Sequence, residues 1–502
     1  MKLFRILLSC ILALVIFIGF TPNAWAFCGF YVAKADTKLY NKASQVVIAK
    51  DSDRTILTMA NDFQGDVKDF AIVVPVPVVV QKEQVKIGDA KVIERLDAFS
   101  APRLVEYFDS DPCEQILYDR AVPLPQSAPA ANESLRKTRP ESLGVTVEAQ
   151  FNVGEYEILV LSAKESDGLE TWLKQNGYRM PSGASSLLQP YIRQKMKFFV
   201  AKVNIAKFNK SGYQNLRPLM IAYESPKFML PIRLGMINST SEQDLIVYVL
   251  SPKGQAEVTN YRTVKVPSGD EIPVFVKNEF GDFYKSMFQN SYSKEDKKVA
   301  FLEYAWDMGS CDPCSAEPLT PEELKKAGVF WLKPNEGSNA FISRIHVRYT
   351  RDKFPEDLMF QETANREQFQ GRYVLRHAFN GEAKCQAGVQ YKQSLPARFE
   401  REAQTLSSLT GWNLQGIRQK MNLDEYPSTS VSPAPFWETI WDKESNSQTP
   451  TTDLTRNTSQ PEATEVALTQ EAGATNPWKG MYILLALLAI LGSIAVYVMF
   501  VL

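Results

Sequence analysis

From Met481 to Leu502 the chain carries no charged side chain. At ~1.5 Å of rise per helical residue, such a run of about 22 residues reaches across a ~30 Å hydrocarbon core. Core helices of this length carry more polar positions than Ser493 and the tyrosine hydroxyls. Trp478 and Tyr482 stand at the outer end, where amphipathic rings favour the headgroup layer, and Lys479 beside them can snorkel outward. Residues 478–502 are therefore expected to be a single transmembrane helix. The opposite end reads as a secretory leader: Lys2 and Arg5, an apolar run from Ile6 to Phe20, then Ala24-Trp25-Ala26. Cleavage after Ala26 makes 1–26 a signal peptide and Phe27 the mature start. A lipidated Cys28 is the rival reading, and bulky Phe27 before it argues against that processing. A leader and a terminal anchor together place the body on the extracytoplasmic side, periplasmic or lumenal, with the lipid bilayer as one partner.

Residues 427–477 are rich in Ser, Thr, Pro, Glu, Asn and Gln and cannot bury enough apolar surface to fold alone, so they read as a tether. One apolar island interrupts them, Phe436-Trp437-Glu438-Thr439-Ile440-Trp441, which either docks back on the body or lies on the membrane surface. That leaves 27–426 as the globular part, long enough to be a compound of two or more subdomains. With 56 Lys and Arg against 57 Asp and Glu, the net charge of −1 offers no electrostatic case for nucleic acid.

Short runs rich in Val, Ile and Thr predict strands at Gln45 to Lys50, Thr55 to Met59, Phe70 to Val76, Val145 to Phe151, Tyr156 to Leu161, Phe198 to Val203, Leu219 to Tyr223, Leu245 to Leu250, Thr263 to Val266, Val299 to Trp306, Phe341 to Thr350 and Arg372 to Phe379. Helices are predicted over Asp89 to Tyr107 with a break at Pro102, and at Gly168 to Gln175, Phe280 to Phe288 and Ala397 to Leu409. Another starts at Thr320, where Thr, Pro and Glu occupy the cap, first and third positions. Strands in series with interspersed short helices predict an α+β body, largely antiparallel.

Five cysteines remain after leader removal: Cys28, Cys113, Cys311, Cys314 and Cys385. Outside the cytoplasm their default fate is disulfide formation, and an odd number leaves at least one thiol over. Cys311-Asp312-Pro313-Cys314 has the spacing of a redox pair, half a metal site or a structural bridge. The next helix opens only at Thr320, beyond Pro318, so the pair does not sit at a helix N-terminus that would activate a thiol. No second Cys or His cluster completes a metal site, and no cofactor motif appears. Structural bridging is the leading reading, with Cys113 and Cys385 among its candidates and Cys28 the candidate for the unpaired thiol. Of the two histidines, His377 alternates with Tyr373 and Leu375 and reads as a hydrogen-bonded core residue. His346 alternates with Arg344 and Arg348, a basic stripe that is either a solvated face or an anion-binding face. No nucleophile elbow, zinc-protease helix, P-loop or dinucleotide fingerprint is present. The expected function is a non-enzymatic, membrane-anchored domain that binds a partner, for example another envelope protein, or organises the cell envelope; the alternative is a thiol–disulfide oxidoreductase using Cys311 and Cys314.

Several segments, in order, resemble a bacterial family known as domain of unknown function 2330. They are Cys28-Gly29-Phe30, Val74-Pro75-Val76-Pro77, Arg103-Leu104-Val105-Glu106-Tyr107-Phe108 leading to Asp111-Pro112-Cys113, and Cys311-Asp312-Pro313-Cys314 before Pro318-Leu319-Thr320. Arg344 to Tyr349 and Glu356-Asp357-Leu358 follow. The resemblance spans most of Phe27 to Trp412. It implies an exported, often membrane-anchored protein of no established activity, and it assigns no catalytic residue.

Overall fold

The computed structural model describes residues 30–33, 40–64, 70–114, 145–164, 166–176, 184–211, 216–238, 242–312, 316–333 and 339–423. Two sheets dominate. The larger runs, in spatial order, Arg262–Lys265, Val299–Asp307, Phe341–Tyr349, Gln243–Ser251, Tyr40–Asp51, Arg54–Gln64, Leu219–Glu224 and Val85–Ile87, with Phe369–Gln370 pairing beside Val299–Asp307. The smaller runs Phe30–Ala33, Phe70–Val76, Lys197–Val203, Tyr156–Ala163 and Val145–Val153. Most pairings are antiparallel, as expected; Tyr40–Asp51 with Gln243–Ser251 and Arg262–Lys265 with Val299–Asp307 are parallel.

The layers follow from the period-two alternation of the strands. Val46, Ile48, Leu57, Met59, Leu245 and Val247 on the large sheet meet Ile72, Val74, Ile158, Phe199 and Ala201 on the small one, forming the central core. The opposite face of the large sheet, through Val47, Ala49, Tyr248 and Leu250, packs on the helix Ala90–Ser100 and on Leu324 of the helix Pro321–Lys326. Central strands are thus covered on both sides, which is why Gln243–Ser251 is nearly continuously apolar. The helices Ser166–Gln175 and Ala184–Arg193 cover the outer face of the small sheet. At the far end of the large sheet, Phe280–Lys294, Gln386–Thr410 and Leu414–Lys420 enclose a further core around Phe283, Phe288 and Phe301. The result is an α+β sandwich with helices on both outer faces.

The helix start at Thr320 is a reciprocal cap. Thr320 Oγ1 accepts from Glu323 N at 3.2 Å, and the Glu323 carboxylate accepts from Thr320 N at 2.8 Å. One expectation is corrected. No helix continues beyond Pro102: the first ends at Ser100, and Arg103–Phe108 is a strand paired in parallel with Arg372–His377. Pro102 denies the helix an N–H and favours extended backbone at Ala101 before it, and the segment beyond pairs with Arg372–His377. Among the described residues no helix is long and apolar enough to cross a membrane. Residues 1–26, 427–477 and 478–502 lie outside the described residues.

Candidate functional site

The basic stripe lies on the helix-covered face of the large sheet. Strand register sets Arg348 opposite Asp244, His346 between Ile246 and Phe301, and Arg344 between Tyr248 and Tyr304. On the neighbouring strand the register shifts between Leu302 and Tyr304, leaving Glu303 as the inserted residue of a bulge. The insertion puts Glu303 and Tyr304 on the same face, and Glu303 points straight at the stripe. Its carboxylate accepts from Arg344 Nε at 2.6 Å and lies 2.7 Å from His346 Nδ1, and it also takes the Tyr284 hydroxyl. His346 Nε2 is 3.1 Å from Asp244, which holds Arg348 through two bonds at 2.7 and 2.8 Å. Arg344 Nη1 reaches Asp97 at 2.6 Å. Phe288 stacks on His346 with ring centroids 3.9 Å apart, and Arg348 lies over the rings of Phe288 and Tyr292.

The stripe is therefore not a solvated face: Arg344 and His346 are each 7% exposed. Nor does it present open cations to an external anion, because protein carboxylates already occupy the anion positions. Burial pushes Glu303 up, but the charges of His346 and Arg344 outweigh it and hold the carboxyl at about 2. Burial likewise works against the His346 cation, and the Glu303 charge and the bonds to Asp244 and Glu303 overcome it, so its pKa is raised. A sequence reading misses these partners because Glu303 looks like one acid in an apolar strand. That acid at the middle of the otherwise apolar run from Val299 to Trp306 was the available signal.

Cys113 and Cys385 form a disulfide with Cα atoms 5.8 Å apart. Asp111 shapes the approach, its side chain accepting from Cys113 N at 2.8 Å. Cys385 caps the helix Gln386–Thr410, Sγ accepting from Gly388 N at 3.2 Å. Beside the bond, Asp109 takes the Tyr391 hydroxyl at 2.6 Å and Arg398 Nη1 at 2.5 Å, tying the same two elements by charge. Cys311 is free and exposed. Its neighbour Asp312 is buried and accepts from Tyr304 Oη at 2.7 Å and Gln370 Nε2 at 2.8 Å, fixing the start of the turn. Cys28 and Cys314 lie outside the described residues. His377 is half-buried, 2.7 Å from Glu106 and stacked on exposed Phe108. Among the described residues no group of three or more His, Cys, Asp and Glu could hold a metal ion.

Glu402, on the inner face of the same long helix, is 3% exposed, and its Oε1 has no hydrogen-bond donor. Burial raises its pKa from 4.5 to about 7, against the pull of Arg398. A carboxyl raised in this way contributes stability below the unfolded pKa, and that contribution is lost as pH rises toward 7. Glu402→Gln is therefore expected to stabilise the protein at pH values above about 7, by up to ~3 kcal/mol, with little effect near pH 4. Denaturant melts of both proteins at the two pH values check this; equal stability at the higher pH would count against it.

A cleft of about 600 Å³ opens at the end of the strand Leu219–Glu224 that the edge strand Val85–Ile87 does not reach. Val85–Ile87 pairs with Leu219 to Ile221 and then stops. Beyond it, Ala222, Tyr223 and Glu224 line the cleft with Arg54, Thr55 and Ile56 of the neighbouring strand, Val78, Val79, Gln84 and Phe330. Val78 and Val79 continue the Val74-Pro75-Val76-Pro77 segment. Phe330 is brought over by Gly328 at φ +104, where a Cβ would stand 2.9 Å from the Ile56 side chain. Arg54 and Glu224 pair at 3.4 Å on the rim. Behind the floor lies Lys50, in register with Thr55, which is itself in register with Tyr223. Lys50 is 3% exposed and donates to Thr55 Oγ1 at 3.2 Å and to Ser225 O at 3.1 Å. Burial lowers its pKa, and the charges of Glu362 and Asp53 oppose that.

Neither curated proteins nor solved structures give a match to this chain. A family model does match, over residues 22–361, which takes in every residue lining the cleft and stops short of Cys385. The match covers more than half of the chain, which therefore belongs to the family described as an uncharacterized protein conserved in bacteria, DUF2330.

Proposed function

We propose that this protein is an exported binding or envelope-organising module, not an enzyme, held to the lipid bilayer by the segment 478–502 with its body on the extracytoplasmic side. The observation that carries this is the Cys113–Cys385 bond, because disulfides form and persist in oxidising compartments. The leader-like 1–26, the low-complexity 427–477 and the charge-free run from Met481 point the same way. An envelope protein is the expected partner. Truncation before Lys479, with the leader kept, is expected to turn an integral membrane protein into a soluble exported one. Cell fractionation decides it, and a truncated chain that still pellets with membranes after alkaline wash overturns the single-anchor reading.

The exposed thiol of Cys311 supports the second reading, a thiol–disulfide oxidoreductase using Cys311 and Cys314. Mass spectrometry with and without prior alkylation separates the two. A Cys311–Cys314 bond that cycles with a reductant at cellular potentials favours the oxidoreductase, and cross-links that resist such reduction favour the structural role.

A further inference from the structure

We propose that the Cys113–Cys385 bond is a thiol-exchange site that opens in one direction: a thiolate attacks Cys113 Sγ, a mixed disulfide forms there, and Cys385 leaves as a thiolate held at the start of the helix Gln386–Thr410. This goes beyond the function proposed above and does not depend on it. The two sulfurs stand in unlike surroundings. Cys385 is the N-cap of a 25-residue helix, and its Sγ accepts from Gly388 N at 3.2 Å. A thiolate at that position keeps the hydrogen bond and meets the positive end of the helix dipole. Gly388 fits this arrangement, since a Cβ there would stand 2.5 Å from the Ala383 Cβ and push the preceding turn away. The Pro112 carbonyl oxygen also lies near this sulfur, but at 3.9 Å. Lys384, next in sequence, pairs with Glu382 at 2.6 Å, so those two charges offset each other.

Cys113 is placed the other way. It is exposed, in a turn, whereas Cys385 is half-buried. The Asp111 carboxylate accepts from Cys113 N at 2.8 Å, and exposed Glu114 follows. Two acids beside Cys113 disfavour a thiolate there. Exchange is faster the better the leaving thiolate, and it needs an accessible sulfur to attack. Both conditions select attack at Cys113 and departure of Cys385. The incoming sulfur supplies the electron pair of the new bond. The pair of the broken bond stays on Cys385, so this step uses no oxidant and moves no proton. A second thiolate then displaces the first from Cys113, leaving both cysteines reduced and the two donor sulfurs joined.

The fold permits this without unfolding. Asp109 holds Tyr391 Oη at 2.6 Å and Arg398 Nη1 at 2.5 Å, so the loop and the helix stay together when the bond opens. The attacking thiol comes from outside the chain. Asp312, beside the free Cys311, is fixed to Gln370, at the Arg103 end of the paired strands Arg103–Phe108 and Arg372–His377. The disulfide lies beyond the other end, past Phe108, and five strand steps of ~3.3 Å separate the two ends.

The test uses the full-length chain in nanodiscs with its free thiols first blocked by iodoacetamide. One arm adds glutathione; the other adds a C-x-x-C protein dithiol that lacks its resolving cysteine. Both are quenched with N-ethylmaleimide and mapped by mass spectrometry without reduction, while circular dichroism follows the fold. The donor is expected on Cys113, with maleimide on Cys385, at least about tenfold more often than the reverse. The arm that gives this adduct tells whether a small thiol or a protein thiol serves. Single variants supply a second readout. In Cys113→Ser, alkylation of Cys385 should speed up less than about fivefold from about pH 7 to about pH 9, against about 25-fold for an ordinary cysteine. Cys113 in Cys385→Ser should show at least that ordinary rise. Each thiol is compared with itself, so accessibility cancels. Adducts shared evenly or favouring Cys385, an ordinary rise at Cys385, or no exchange until the fold is lost would each overturn the proposal.

Discussion

The Cys113→Ser protein should be less stable than the wild type under oxidising conditions by ~2–5 kcal/mol, and Cys385→Ser should lose as much. The bond joins residues separated by 272 positions, so cutting it releases a very long loop in the unfolded chain. In the folded protein the same junction ties the loop after the strand Arg103–Phe108 to the start of the helix Gln386–Thr410. The Asp109–Tyr391–Arg398 contacts remain after the bond is cut and hold those elements in place. The loss should therefore come mainly through the unfolded state, with the native fold kept. Three observations distinguish a cross-link from a packing defect. Each single variant should resemble the reduced wild type, the double variant should be no worse than either single one, and reductant should leave both variants unmoved. If the wild type melts at one temperature with and without reductant, and no disulfide survives that treatment, the bond is not structural.

Local chemistry was legible in the sequence where one short segment contains the whole argument. Thr320 to Glu323 holds its own cap, and the strands at Phe70–Val76, Tyr156–Ala163 and Gln243–Ser251 announce themselves by composition. Segments whose conformation is set by a distant partner were not legible in this way. Arg103–Phe108 is a strand because Arg372–His377 lies beside it, and that partner comes more than 260 residues later. Ala184–Arg193 is helical despite Pro190, since its Leu188, Tyr191 and Ile192 pack on the small sheet. The stripe of Arg344, His346 and Arg348 was visible as a pattern, but its meaning was not. Alternation in one strand cannot reveal a bulge in its neighbour, and only the bulge at Glu303 turns a basic stripe into a neutralised network. The cleft is further still from the sequence, because Lys50, Thr55 and Tyr223 meet only through strand register.

That network carries the other large expected effect. Glu303→Ala should destabilise the protein by ~3–5 kcal/mol, since it leaves Arg344 and His346 buried beside an empty site. The pH dependence is the sharper test. Both ring nitrogens of His346 face carboxylate oxygens, and a neutral imidazole can donate from only one of them. The imidazolium is thus the form that fits, in line with the raised pKa. A histidine raised above its ordinary 6.5 contributes stability that is complete below that value and is lost as pH rises through the folded pKa. Glu303 has the opposite sign: depressed from 4.5 to about 2, it contributes above 4.5 and that contribution is lost as pH falls toward 2. Asp244 is depressed as well, burial being outweighed by His346 and Arg348. The network therefore stabilises most between pH 4.5 and 6.5. His346→Gln keeps a donor but cannot carry the charge. The stability gap between wild type and this variant should be widest inside that window and should narrow at alkaline pH. Denaturant titrations of both proteins from about pH 4 to about pH 9 measure the gap directly. A gap that stays constant across that range would mean that His346 is neutral in the folded protein and that packing against Phe288, not charge, is what it contributes.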